Sequence, residues 1–160
     1  MKAFRATQWK AAAALVAASM AGASPTTAAE TRGLSFEQVL QIHLEAIRSR
    51  DLSAIERTLT SGERLDLLLP DGRHLRTRDE FIRLHVDWFA DQSWTWRYEP
   101  VARHVGTDLA TATIKTRSES RDPDGKVTRW SENWLTLTFR KEAGGWALVL
   151  DQNTPIARGP

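Results

Sequence analysis

Hydrophobic positions recur at two different spacings along this chain, and the change from one to the other predicts its architecture. Phe36, Val39, Leu40, His43, Ala46 and Ile47 follow each other at helical spacing and define one face of a helix. Ser35-Phe36-Glu37-Gln38 just ahead of them is a capping box, with the serine hydroxyl taking a free N–H and Gln38 reaching back. This helix ends near Arg50. Asp51 then caps a short second helix carrying Leu52, Ile55 and Leu59, which Thr60-Ser61-Gly62 stops. Leu65 to Leu69 reads as a short strand, Pro70-Asp71-Gly72 as a tight turn and His74 to Arg76 as a return strand. A second capping box, Thr77-Arg78-Asp79-Glu80, opens a third helix with Phe81, Ile82, Leu84, His85, Trp88 and Phe89 on its apolar side.

From Ser93 the period becomes two. Trp94, Trp96 and Tyr98 alternate with Thr95, Arg97 and Glu99, and Pro100 inside this run predicts a bulge or bend. Gly106-Thr107-Asp108 turns the chain into a threonine-rich strand, Leu109 to Arg121. Asp122-Pro123-Asp124-Gly125 turns it again. Val127 to Lys141 and Trp146 to Asn153 form two further strands joined by a glycine turn, the last one closed by polar residues and Pro155. Helices followed by hairpin-linked strands predict an α+β fold, with three N-terminal helices packed on one face of a strongly curved antiparallel sheet. Strands this long, about twice the usual five or six residues, twist and curl strongly. A curled sheet wrapped on a helix encloses a cone-shaped cavity.

The N-terminus departs from this pattern. Lys2, Arg5 and Lys10 precede the apolar, alanine-rich stretch Ala11 to Ala23, which at about 13 residues is too short to span a bilayer. Ala21-Gly22-Ala23 and Thr27-Ala28-Ala29 both fit small-x-small cleavage. Residues 1–29 therefore read as a signal peptide, residues 30–160 as one domain, and the location as periplasmic or secreted. The leader takes three of the 22 basic residues and none of the 20 acidic ones, so the remainder carries a net charge of about −1. That balance gives no basic patch for nucleic acid and no membrane partner once the leader is cut. The absence of cysteine excludes disulfides, thiolate metal sites and cysteine nucleophiles.

Six tryptophans lie beyond the leader. Trp88 is placed to shape the cavity. Trp94, Trp96 and Trp134 could stack a flat ligand, pack in the core, or form an outer sheet face that pairs two subunits as a homodimer. Among ionisable residues, His43 sits mid-face on the first helix, either as a cavity acid/base or as a core histidine satisfied by a neighbour. His85 occupies a comparable position on the third helix. Asp151 is expected to share a strand face with Ala147, Val149 and Asn153. A carboxyl among small and apolar residues there would have a raised pKa and could exchange protons. Alternatively, Asp151 and Asn153 bond backbone groups where the strand ends. Glu132 and Asn133 point to opposite faces, so at most one lines the cavity. No close-spaced metal motif, nucleotide loop or serine elbow is present, so no metal or cofactor is expected.

Four segments in this order resemble the nuclear transport factor 2-like superfamily, in particular its SnoaL-like and ketosteroid-isomerase-like members. They are residues 46–55 at the junction of the first two helices, the strand end Leu67 to Gly72, the helix from Arg78 to Phe89, and Gly145-Trp146 through Asn153. The resemblance covers residues 35–155 and implies a cone of helices on a curved sheet. The fold hosts both enzymes and binding modules. Ketosteroid isomerases place an aspartate base just before a proline at the end of the first strand. Leu69 holds that place here, ahead of Pro70. His43 falls at their oxyanion tyrosine and Leu135 at their neutral aspartate. Together with the leader, the resemblance implies an exported domain that binds a small, largely apolar molecule. His43 and Asp151 would be its acid/base pair, with His85 assisting and Trp88, Asn133 and Asn153 contacting the ligand. The reaction implied is isomerisation, dehydration or cyclisation, and the alternative is a non-catalytic ligand-binding or dimerisation module.

Overall fold

The computed structural model describes residues 31–160. The proposed signal peptide, residues 1–29, lies outside the described residues.

Three helices form where their caps predict. Helix α1 spans Phe36–Ser49, with both halves of the Ser35–Gln38 capping box made. Arg50 closes it in the left-handed conformation, φ 58°, its N–H returning to the last turn. Asp51 then accepts from the Ala54 N–H and starts α2, Leu52–Glu56. The Thr77–Glu80 box starts α3, Arg78–Ala90. The apolar stripe of α1 is buried along its whole length, and Phe81, His85 and Phe89 are the buried side of α3.

Six strands form one sheet. They are β1 (Arg64–Leu68), β2 (His74–Thr77), β3 (Trp94–Val105), β4 (Leu109–Arg121), β5 (Val127–Glu142) and β6 (Gly145–Gly159). The sheet order is β2-β1-β6-β5-β4-β3, antiparallel throughout except where β1 runs parallel to β6. The last strand is the centre of this arrangement. It joins the long meander to the β1–β2 hairpin, with Leu59 adding a parallel bridge to Leu148. The core lies between the helices and one sheet face, around Phe36, Leu44, Ile55, Phe81, Leu137 and Phe139.

Three expectations are corrected by the register. The closing strand does not stop at Asn153: β6 continues through Pro155, which pairs with Asn133, to Gly159. The ladder shifts there, with Pro155 opposite Asn133 and Ala157 opposite Glu132, so Ile156 is an extra residue. Second, Asp151 does not share its face with Ala147 and Val149. Leu148 pairs with Phe139 and Leu150 with Thr138, making Val149 a bulge that reverses the alternation. Leu148 and Asp151, three residues apart, therefore face the same way. Third, Trp94 and Trp96 are buried on the helix side of the sheet, against Trp88, Phe89 and Tyr98, and only Trp134 lies on the outer face. The bulge predicted at Pro100 is present, between Pro100 and Ala102.

Candidate functional site

Between the helices and the sheet is a cavity of about 610 Å³, within the range of small-molecule sites. Ile47 of α1, Leu84 and Trp88 of α3, Leu67 of β1, and Trp96 and Leu135 of the sheet form its apolar wall. His85, Thr116, Asn133, Asp151 and Asn153 supply polar groups.

Asp151 is the electrostatic centre of the site. The register sets Leu67 beside it on β1 and Leu137 beside it on β5. Its side chain is almost fully withdrawn from water, and burial pushes its pKa up to about 7. The Asn153 amide acts the other way by donating to Oδ1 at 2.8 Å, and its Nδ2 also makes a longer contact with the Leu68 carbonyl. A carboxyl poised near neutrality exists in both protonation states at the pH where it would work, which is the condition for general acid–base chemistry.

His85 lines the same cavity. Its Nδ1 lies 2.8 Å from the Phe81 carbonyl. A carbonyl only accepts, so Nδ1 carries the hydrogen and Nε2 the lone pair. The ring stacks on Phe81 at a centroid distance of 4.1 Å and meets Trp88 edge-on. Burial lowers its pKa to about 4 despite the Phe81 carbonyl, so it is a neutral hydrogen-bond acceptor under physiological conditions.

His43 is placed elsewhere. It is fully buried and is not among the cavity-lining residues. Thr58 donates its hydroxyl to the Ile55 carbonyl at 2.6 Å, so Thr58 Oγ1 accepts from His43 Nδ1 at 2.8 Å. The imidazole lies against Phe139 and Phe81, and its Nε2 has no partner among the described residues. Burial, then the neighbouring His85, depresses its pKa to about 3. The structure thus does not bring His43 and Asp151 into one cavity. Its histidine facing Asp151's cavity is His85, and His43 ties α1 to the segment after α2.

Trp88, Asn133 and Asn153 all line the cavity. Trp88 is held by stacking on Trp94, 4.6 Å between centroids, and by the Trp94 indole N–H donating to the Trp88 carbonyl at 2.9 Å. Glu132 turns outward to Lys115 and Arg117, as alternation requires. Among the described residues no cluster of three or more potential metal ligands occurs.

Sequence reasoning did not find Ile47, Thr116, Ser118, Ser131 or Arg129 as lining residues. The signal was present in part. Thr116 and Ser118 alternate with Lys115 and Arg117, and Ser131 precedes Asn133 by two. Only the β4–β5 register, Thr116 with Asn133 and Ser118 with Ser131, shows that these sets share a face.

The sequence profile of the SnoaL-like domain family matches residues 36–153. No curated protein sequence matches the chain. Solved structures similar to it include a ketosteroid isomerase-like protein from Erwinia carotovora atroseptica (21% identity, TM-score 0.62, 76% of this chain and 93% of that one). A candidate dehydratase of the nuclear transport factor 2-like family from Streptomyces avermitilis shares 19% identity at a TM-score of 0.63, over 84% of this chain and 99% of that one. The association domain of CaMKII from C. elegans shares 19% identity at a TM-score of 0.58, over 74% and 91%. These likenesses establish the fold.

Proposed function

The chain belongs to the SnoaL-like domain family, and from that premise we propose that its cavity binds a small, largely apolar molecule and that Asp151 exchanges a proton with it. The reaction class is cofactor-independent isomerisation, dehydration or cyclisation. One observation carries this reading: a buried carboxyl with a pKa near 7 faces a cavity of ligand size, beside the apolar wall of Leu67, Trp96 and Leu135. As the carboxylate it would take a proton from a carbon beside a carbonyl and return it at another position. The amide of Asn133 can donate to the carbonyl oxygen as charge develops there, Asn153 holds the Asp151 carboxyl in place, and His85 Nε2 can accept from a ligand hydroxyl. The domain acts outside the cytoplasm after loss of residues 1–29, as a homodimer through the outer sheet face.

The test uses 2-tetralone, an apolar ketone with acidic α-protons, incubated with the protein in D2O and followed by NMR. The wild type is expected to accelerate α-proton exchange, and Asp151→Asn to lose about 100-fold or more of that acceleration, the usual scale of a general base. Binding without accelerated exchange would favour the second reading, a non-catalytic ligand-binding module. Leu69 at the family's usual base position supports that alternative.

A further inference from the structure

A second cavity of about 500 Å³ opens off the first toward the ends of β5 and β6. The two share Pro70, Ser118, Arg129, Ser131 and Asn133 as lining, so they are two parts of one elongated space. Their chemistry differs. Near Asp151 the wall is leucine and tryptophan. Beyond Asn133 it becomes Ser118, Ser120 and Ser131, with two arginines, Arg129 and Arg158.

The register explains how both arginines reach this face. Arg129 lies two residues before Ser131 on β5 and pairs with Ser120 on β4. Arg158 pairs with Ser131. Asp151, Asn153 and Pro155 occupy alternate positions of β6, and regular alternation would send Arg158 outward. The extra residue Ile156 reverses the parity and turns Arg158 to the side of Ser131.

The charges around them are unevenly matched. Arg73, at the first cavity's rim, is neutralised by Asp71 at 2.8 Å. Glu119, the buried carboxylate of β4, is taken by Arg97, Arg117 and Arg121. Arg129 and Arg158 form no ion pair with any described residue. Asp91 at the mouth is held below the usual carboxylate range chiefly by Ser93, with Arg50 and Arg129 adding more distant attraction, so Arg129 is near it without an ion pair. Two unpaired cations and three hydroxyls at one end of an apolar cavity are a recognition surface for an anion.

We propose that the elongated cavity takes an amphipathic ligand whose apolar body lies against Leu67, Leu84, Trp88 and Leu135 and whose anionic end, a carboxylate, sulfonate or phosphate, is held by Arg129 and Arg158 with the hydroxyls of Ser118 and Ser131. The assignment rests on the cavity being a ligand site and names the class of ligand. It places the anionic end away from Asp151, so the body of the ligand, not its charged end, meets the proton-exchanging carboxyl.

Two fluorescent probes separate the two parts. 1-Anilinonaphthalene-8-sulfonate and N-phenyl-1-naphthylamine share an apolar body and differ by the sulfonate. Both are titrated against the full protein, with energy transfer from tryptophan as the readout. The sulfonate probe is expected to bind more tightly than the neutral one and to weaken with added salt. The double substitution Arg129→Met/Arg158→Met is expected to weaken it about fivefold, the scale of two solvent-exposed ion pairs, and to leave the neutral probe unchanged. Arg83→Met/Arg103→Met, with the same loss of charge away from the cavity, should change neither. If both probes bind and the arginine pair makes no difference, or if the remote pair weakens the sulfonate probe equally, the anion subsite is wrong and the apolar site stands. If neither probe binds, the ligand-site reading fails and the subsite with it.

Discussion

At the residue scale, buried Asp151 and His85 in the cavity and His43 in the core set opposing dependences of stability on pH. Asp151 has a folded pKa of about 7, above its unfolded value, so its ionisation is resisted by the native state. The native state therefore binds more protons than the unfolded chain between about pH 4 and 7, and stability falls as pH rises through that window. His43 and His85 behave in the opposite sense. Their folded pKa values of about 3 and 4 lie below the unfolded value, so stability is full above about pH 6.5 and is lost as pH falls toward them. Two histidines outweigh one carboxyl below about pH 6.5; between about pH 6.5 and 8 the unfolded histidines still lose protons while Asp151 ionises, and the two effects are of similar size. The contribution of these three groups should rise to about pH 6.5 and then stay nearly level to about pH 8. Asp151→Asn keeps the Asn153 contact with a neutral acceptor, so it should remove the carboxyl's cost and let stability go on rising to about pH 8. Urea unfolding at pH 8 should find that variant more stable than wild type, by up to about 4 kcal/mol, and the two should converge toward pH 4. An Asp151→Asn variant no more stable than wild type at pH 8 would contradict the burial argument for Asp151.

At the scale of elements, local signals and long-range pairing divide what the sequence discloses. Both capping boxes, the Asp51 cap and the turns at Pro70-Asp71-Gly72 and Asp122-Pro123-Asp124-Gly125 are written within a few residues, and each appears where it was expected. The parallel pairing of β1 with β6 joins segments more than eighty residues apart, and nothing in either strand's own pattern names the other. The bulges at Val149 and Ile156 had the same obscurity. An inserted residue leaves the composition of a strand unchanged while exchanging its faces, so the neighbours assigned to Asp151 were wrong although Asp151 itself lines the cavity. His43 failed for a related reason. Its helical face was read correctly, but whether that face meets the cavity or the core depends on Phe81, Phe139 and Thr58, which come from other elements. The β5–β6 turn offers a test of local geometry. Gly145 has φ 119°, and a Cβ there would lie 2.8 Å from the Thr31 carbonyl oxygen. Gly145→Ala should therefore destabilise the protein by about 1–3 kcal/mol through backbone strain and displacement of residues 31 and 32. Thermal unfolding with an unchanged midpoint would show that the N-terminal segment yields without cost.

At the scale of the whole molecule, the sheet separates two surfaces. Its helix-covered face holds the cavity, while its other face is open, with Trp134 as its exposed aromatic anchor beside Lys115 and Thr154. With Trp94 and Trp96 committed to the interior, association through the outer face would depend on fewer apolar groups than three tryptophans would supply, against a background of threonines on β4 and β5. Four adjacent strands of 12 to 16 residues nevertheless offer a broad surface, and standard interfaces need only about 800 Å² from each partner. Energy in such interfaces concentrates in a few central aromatic residues. Sedimentation of the wild type at micromolar concentration is accordingly expected to show a dimer, and Trp134→Arg to shift it to monomer by weakening association about 30-fold, the effect of losing roughly 2 kcal/mol. Because Trp134 and Asp151 lie on opposite faces of the sheet, the neutral naphthylamine probe should bind monomer and dimer alike. A wild type that sediments as a monomer would remove the outer-face dimer. A dimer insensitive to Trp134→Arg would move the contact elsewhere, and lost probe binding in a folded Trp134→Arg monomer would show that association shapes the cavity after all.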